Sequence, residues 1–125
     1  MPFSSDIEAS RIGVIVTPDR RSMRGLSPSL VVARKQMHAH QPVSDANLIK
    51  LSEAGDGLAA QIYVRRLIAS GAAERAPSDV AYYSAIAVET GRVWTLPDMI
   101  KAMKRLDRNT EPRPRLRKYI QVLYP

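Results

Sequence analysis

The sequence predicts a mainly α-helical fold: a single compact domain of five or six helices with a minor β element. Its 125 residues are the length of one ordinary domain. Through most of the chain, apolar residues recur at steps of three and four, which is the period of an α-helix. Several of these segments begin after a serine or threonine and end before a glycine or proline, as helices commonly do.

The N-terminal part of the sequence contains a predicted leader, strand and loop. Residues 1–10 are interpreted as a polar leader that precedes a single helical domain at residues 11–125. The segment Arg11–Thr17, RIGVIVT, is the best candidate for a strand, because β-branched residues predominate in it and Pro18 ends the run. Residues 19–27 are basic and contain a glycine, which predicts a surface loop.

Two helices follow, and a serine stands in front of each. Ser27 with Pro28 is a favourable helix start, because a hydroxyl N-cap precedes a proline whose φ is already helical. This first helix is predicted to run to about His40. The second helix begins after Ser44 and ends before Gly55.

The third and fourth predicted helices both end at a glycine. The third covers Gly57–Ser70, in which apolar residues pair at i,i+4, and Gly71 terminates it. Ser78 is predicted to cap the fourth, residues 79–90, which ends at Gly91.

The last two helices follow a short extended segment. Residues 92–94 are the second candidate for β structure, and Trp94 is interpreted as a core anchor between the fourth and fifth helices. Thr95 followed by Asp98 resembles a capping box with aspartate in place of glutamate. The sixth helix is predicted at residues 116–124. The fifth helix has apolar residues at three- and four-residue steps: Leu96, Met99, Ile100, Met103 and Leu106.

Positive charge is concentrated at the C-terminal end of the sequence. Residues 1–100 hold 11 basic and 10 acidic residues and residues 101–125 hold 8 and 2, so the latter segment accounts for +6 of the net charge of +7. Such a surface attracts phosphate by releasing counterions, and arginine binds phosphate through two nitrogens. The candidate binding residues are the cations of this segment and three arginines of the basic loop: Lys101, Lys104, Arg105, Arg108, Arg113, Arg115, Arg117, Lys118, Arg20, Arg21 and Arg24.

The partner predicted for this basic surface is a nucleic acid or an acidic protein surface. The first hypothesis is a small non-catalytic nucleic-acid-binding or regulatory protein. The second is an adaptor or inhibitor that docks on an acidic or apolar face of another protein. A third interpretation gives the charge no role beyond solvation. The connection GRVWTLP between the fourth and fifth helices is longer than the turn of a standard helix-turn-helix, which therefore is not predicted.

Several classes of site are disfavoured by the composition. Without cysteine there is neither a disulfide framework nor a thiolate metal site. His38 and His40 would point about 200° apart on one helix, and no carboxylate pair completes a site around them. The glycines form no phosphate-binding loop, and no nucleophile-elbow pattern accompanies the serines. The sequence therefore predicts no enzyme, no cofactor and no metal. It also has no secretory signal pattern and no apolar run of membrane-spanning length, which predicts a cytoplasmic protein without a membrane partner.

Overall fold

The computed structural model describes residues 4–17, 25–107 and 109–123. Within these ranges the regular structure is helical and includes no strand, which confirms the predicted mainly α-helical class. A 3-10 turn at Val93–Thr95 lies between the sixth and seventh helices. None of the helices in the described ranges has the length and apolar character needed to cross a membrane. The α-helices in chain order are α1 (Ser4–Arg11), α2 (Pro28–His38), α3 (Asp45–Glu53), α4 (Gly57–Ala69), α5 (Ala72–Arg75), α6 (Pro77–Glu89), α7 (Leu96–Met103) and α8 (Pro114–Leu123).

The predicted β element is absent from the described residues. Residues 11–17 lie partly in α1 and partly in an extended stretch that has no neighbouring strand. The backbone N–H of Thr17 donates to the carbonyl oxygen of Glu89 at 2.6 Å, so this stretch bonds to the end of α6 instead. Residues 92–94, the other candidate, lead into the 3-10 turn. Within the described ranges, the β-forming residues therefore have no partner strand with which to pair.

The segment interpreted as a polar leader contains α1. Ala9 within this helix and Ile12 just after it are both buried in the main hydrophobic core. The helix packs against α7 and the 3-10 turn. Most residues of α1 are polar, which is why the segment resembles a leader in the sequence, although one side of the helix contributes to the core.

The predicted starts of α2 and α3 are confirmed by their caps. The hydroxyl oxygen of Ser27 accepts a hydrogen bond from the backbone N–H three residues later at 3.3 Å, and Ser44 does the same at 3.2 Å. At the start of α4 the side chain of Asp56 accepts from the N–H of Ala59 at 3.0 Å. Each oxygen satisfies one of the N–H groups that a helix start leaves without an intrahelical partner.

Two other predicted caps are not formed. Helix α6 begins at Pro77, before Ser78, and its N-cap residue is Ala76, which has no side-chain acceptor. Thr95 likewise makes no side-chain hydrogen bond to the start of α7. In both helices a proline at one of the first two positions sets the start, because its φ is already helical. The segment between α4 and α6, predicted as a loop, contains the one-turn helix α5.

Helix α6 is the central helix of the fold. It packs against α4, α5, α7, α8 and the 3-10 turn, and every residue from 83 to 88 is buried. Alanines at positions 81, 85 and 87 allow neighbouring helices to approach it from several sides. A second buried cluster joins α2, α3 and the start of α4, and Tyr63 packs against both clusters. The basic segment 101–125 is consequently built around α6.

Candidate functional site

The structure does not bring the described basic residues of segment 101–125 onto one surface. Arg115 contacts Glu89 of α6, whereas Lys101 and Arg105 line a groove with Val80 of the same helix. At about 100° per residue, Glu89 and Val80 point in nearly opposite directions from the axis of α6. The cations on the Glu89 side are termed the α8 group, and they are Arg113, Arg115 and Lys118. Those on the Val80 side are termed the α7 group, and they are Lys101, Lys104 and Arg105.

The α8 group is paired with carboxylates of α6. The Arg113 guanidinium donates to Asp79 at 2.6 Å, near the start of α6. At the other end of α6, Arg115 Nε lies 3.0 Å from one carboxylate oxygen of Glu89 and the ammonium of Lys118 lies 3.5 Å from the other. The Glu89 side chain is only 18% exposed, so this second anchor is partly shielded from water. These cations therefore attach α8 along the length of α6.

Tyr82 lies between the two anchors, with both guanidiniums over its ring. The Cζ atom of Arg113 is 4.5 Å from the ring centre and that of Arg115 is 5.2 Å from it, within the range of a cation–π contact. The Tyr82 hydroxyl donates to the carboxylate of Glu53 at 2.9 Å. Burial, followed by this hydrogen bond, raises the pKa of Tyr82. The ring is therefore a neutral hydrogen-bond donor that links α3, α6 and α8.

The start of α8 is fixed by Glu111. Its side chain is buried, and its carboxylate accepts from the hydroxyl of Ser78 and from the backbone N–H of Arg113, each at 3.1 Å. A buried carboxylate needs such partners because it has lost its water. The serine predicted to cap α6 thus serves to hold the segment that leads into Pro114, the first residue of α8.

The α7 group is more open to solvent. Lys101 and Lys104 have exposed side chains and no ionic or hydrogen-bonding partner among the described residues. Arg105 forms an ion pair with Glu74 of α5 in which the two side chains are 40% and 68% exposed. Lys101 and Arg105 line a groove of about 70 Å³ together with Asp98 and with residues of α4, α5 and α6.

The other predicted binding residues are either isolated or outside the described ranges. Arg117 on α8 is exposed and has no partner among the described residues. Tyr119 on α8 is buried and so is not available for stacking on a ligand; this burial, followed by nearby Glu89, raises its pKa. The remaining predicted cations lie outside the described residues: Arg108, Arg20, Arg21 and Arg24.

Trp94 is a surface residue, and its interpretation as a core anchor is wrong. Its side chain is 59% exposed, because the adjacent Val93 and Thr95 occupy the buried positions of the 3-10 turn. With the amide of Gln61 oriented to satisfy its neighbours, the amide oxygen accepts from Trp94 Nε1 at 2.6 Å and from Arg65 Nη2 at 3.1 Å. Sequence reasoning missed this contact because nothing in the sequence indicates that this face of α4 adjoins the 3-10 turn.

A larger cleft, of about 340 Å³, lies beside the C-terminal end of α6. It is bounded by the end of α3, by residues 15–17 and by Arg115, and it is within the size range of small-ligand pockets. The carboxylates of Glu53 and Glu89 that line it are bonded to Tyr82 and to the α8 group respectively. The cleft is therefore lined by the groups that hold α8 in place. Its apolar edge is Ile15, whose side chain is 82% exposed.

In the ranges 4–17, 25–107 and 109–123, no group of three histidine, aspartate or glutamate side chains is arranged to hold a metal ion. Comparisons with protein-family models, with curated proteins and with solved structures found no match to this chain.

Proposed function

We propose that the protein is a small non-catalytic nucleic-acid-binding or regulatory protein, and that the α7 group contacts phosphates. The observation that supports this proposal is the exposure of Lys101 and Lys104, which have no acidic partner among the described residues in a chain of net charge +7. Lysine ammonium groups bind phosphate as point charges and displace counterions from it. Arg105 joins them, because an exposed pair such as Arg105–Glu74 contributes about 0–1 kcal/mol and a phosphate can replace the carboxylate.

The α8 group has a structural role in this proposal. To bind a phosphate, Arg113 would have to exchange its contacts with Asp79 and Tyr82, and Arg115 those with Glu89 and Tyr82. These contacts attach α8 to the core, so their loss would cost folding free energy as well as an ion pair. The basic residues of segment 101–125 are thus divided between holding α8 and binding a partner.

The dependence of affinity on salt tests this division. For duplex DNA the slope of log K against log salt is about −0.9 per phosphate neutralised, so the three cations of the α7 group predict a slope of about −3. All eight cations of segment 101–125 acting together would give a slope of about −7. The slope is measured by fluorescence anisotropy with a labelled duplex and with a labelled single strand of mixed sequence. Absence of binding to both at low salt would contradict the proposed function.

A matched pair of double variants identifies the residues. The double variant Lys101→Ser with Lys104→Ser is expected to weaken binding. It is also expected to make the slope of log K against log salt less steep by about 2, since each lost phosphate contact removes about 0.9. Lys35→Ser with Lys50→Ser removes the same charge from exposed positions on α2 and α3 and is expected to leave the slope nearly unchanged. Equal losses in the two double variants would show that net charge alone drives binding, and would remove the α7 group from the proposal.

A second candidate function, a protein-binding adaptor or inhibitor, is supported by a different observation. Ile15 and Val16 are adjacent apolar residues whose side chains are 82% and 49% exposed. Exposed apolar residues that are grouped together are typical of protein interaction sites. This function predicts a partner that is recovered in a pull-down after nuclease treatment and is lost when both residues are replaced by serine. Recovery of the same partner by the doubly substituted protein would contradict it.

A further inference from the structure

The side chain of Trp94 has an unusual combination of exposure and fixed orientation. More than half of it is open to solvent, yet its Nε1–H donates to the buried side chain of Gln61 at 2.6 Å. This hydrogen bond uses the only donor of the indole and restricts the rotation of the ring. The ring therefore presents its apolar surface to solvent in a fixed position. Because this surface is exposed, it contributes no hydrophobic stabilisation to the fold of the free protein.

One cation, Arg65, lies close to this ring, and a second, Lys101, lies further along the same segment. Arg65 donates to the same Gln61 oxygen at 3.1 Å, which places its guanidinium beside the indole nitrogen. Seven residues after Gln61 on α4, Ile68 lines the same groove as Lys101, which is seven residues after Trp94. Helix α4 thus approaches this segment at two places, at Gln61 with Trp94 and at Ile68 with Lys101. Seven residues of helix span about 10 Å.

The surface made by Trp94, Arg65 and Lys101 is termed the Trp94 ledge. We infer that the Trp94 ledge is a stacking site for an unpaired nucleobase, and that the preferred ligand of the protein is consequently single-stranded nucleic acid. This inference rests on the proposed function, since it names the class of nucleic acid that the α7 group would bind. Trp94 contacts the face of a base, while Arg65 and Lys101 bind the phosphates on either side of it.

The chemistry of the ledge favours a single strand over a duplex. The face of a base is open to an aromatic side chain only when the base is unstacked, and ring stacking accepts any base. Cations flanking an exposed ring match the alternation of phosphates and bases along a strand. Asp98 and Glu74 are acidic residues that line the groove together with Lys101, and their charges oppose phosphate binding there. Replacement of Asp98 by Asn is therefore expected to strengthen binding of a single strand.

The protein contains one tryptophan, so its fluorescence reports on the ledge directly. The probe is an oligothymidylate of about 15 nucleotides, close to the upper end of common site sizes for single-strand-binding folds. Binding is followed by anisotropy of a labelled oligonucleotide, and the tryptophan emission is recorded in a parallel titration with unlabelled oligonucleotide. Tryptophan quenching that saturates together with the anisotropy change, and that a duplex of equal length does not produce, would support the inference.

Two results would overturn the inference, and they differ in what they say about the proposed function. Binding seen by anisotropy without any change in tryptophan emission, or equal binding of the duplex, would leave the proposed function standing and remove the stacking site. If neither the single strand nor the duplex binds, both the stacking site and the proposed function are contradicted.

Variants at the ledge provide an independent test. Trp94→Leu is expected to weaken single-strand binding by about 5-fold to 150-fold, the range that corresponds to loss of one stacked base. Trp94→Phe keeps a ring and is expected to retain most of the affinity. Ile15→Ala is the control, because it alters another exposed apolar side chain. Circular dichroism confirms that each variant is folded, and Arg65→Gln provides a second test. Unchanged single-strand affinity in both Trp94→Leu and Arg65→Gln would overturn the inference.

Discussion

At the scale of single residues, Asp56 shows how one buried carboxylate supports two helices. Its Oδ1 atom caps α4 by accepting from the N–H of Ala59 at 3.0 Å, and its Oδ2 atom accepts from Arg34 Nε of α2 at 3.1 Å. The two charged side chains are 4% and 9% exposed, so neither has water as an alternative partner. A buried ion pair of this kind stabilises little relative to an apolar pair, but loss of one member costs several kcal/mol.

Replacing Asp56 by Ala is expected to lower the free energy of unfolding by about 3–5 kcal/mol, because it removes the cap and leaves the buried Arg34 without its carboxylate. Asp56→Asn keeps an oxygen for the cap and is expected to lose less. The comparison is Ser44→Ala, which removes an exposed cap alone and is expected to cost about 1 kcal/mol. Urea unfolding followed by circular dichroism measures all three. A loss in Asp56→Ala no greater than that in Ser44→Ala would show that the Arg34 pair contributes nothing.

At the scale of elements, α8 depends on charge as well as on apolar contact. Leu116, Tyr119 and Ile120 are buried against the main core. Glu89 is in the last turn of α6, where the helix dipole disfavours a negative charge. Arg115 and the neighbouring lysine compensate that charge, so the end of α6 and the side of α8 stabilise each other.

Replacing Glu89 by Gln is expected to loosen α8 selectively. We expect a loss of about 1–2 kcal/mol in unfolding free energy, because the partly shielded carboxylate has two cationic partners. Faster amide hydrogen exchange at residues 114–123 than in α4 would locate the effect. Glu74→Gln is the matched control, since it removes one carboxylate from an exposed pair and is expected to change stability by less than about 1 kcal/mol. Equal changes in the two variants would contradict the special role of Glu89.

At the scale of the whole molecule, the features that the sequence predicts are those set by near neighbours along the chain. Caps at Ser27 and Ser44 involve backbone groups three residues away, and their helices begin as predicted. The cap expected at Ser78 fails because a neighbouring proline starts the helix earlier and a distant glutamate provides a partner. The surface position of Trp94 depends on which helix adjoins it, and periodicity contains no such information.

The candidate site shows the same division. The concentration of cations in segment 101–125 is a property of the sequence alone. Their separation into two groups depends on α6, which presents Asp79 and Glu89 to α8 and Val80 to the groove beside α7. The sequence alone does not indicate which of the arginines form ion pairs with carboxylates of another helix. Local charge density was therefore predictable, and its division between cations paired with α6 and cations that stay exposed was not.

Three tyrosines of α4 and α6 are expected to make the stability of the protein fall in alkali. Tyr83 makes edge-to-face contacts with Tyr63 and with Tyr82, at ring-centre distances of 4.9 Å and 5.0 Å. Burial is the main cause that raises the pKa of each of these three, followed by nearby carboxylates, and it raises the pKa of Tyr83 from 10.0 to about 12. Between these two values the unfolded chain has lost the Tyr83 proton while the folded protein still holds it.

Because the folded state binds more protons in that interval, stability is expected to be unaffected by Tyr83 below about pH 10 and to fall as the pH rises towards about 12. The loss is on the order of 2 kcal/mol, since one pKa unit corresponds to about 1.4 kcal/mol. Urea midpoints at increasing pH measure it, and Tyr83→Phe should flatten the decline because phenylalanine has no proton to release. Lys118→Ala is the control, since it removes a cationic partner of Glu89 and leaves the three tyrosines in place. A decline as steep in Tyr83→Phe as in the parent protein would show that the buried phenol of Tyr83 does not cause the loss of stability in alkali.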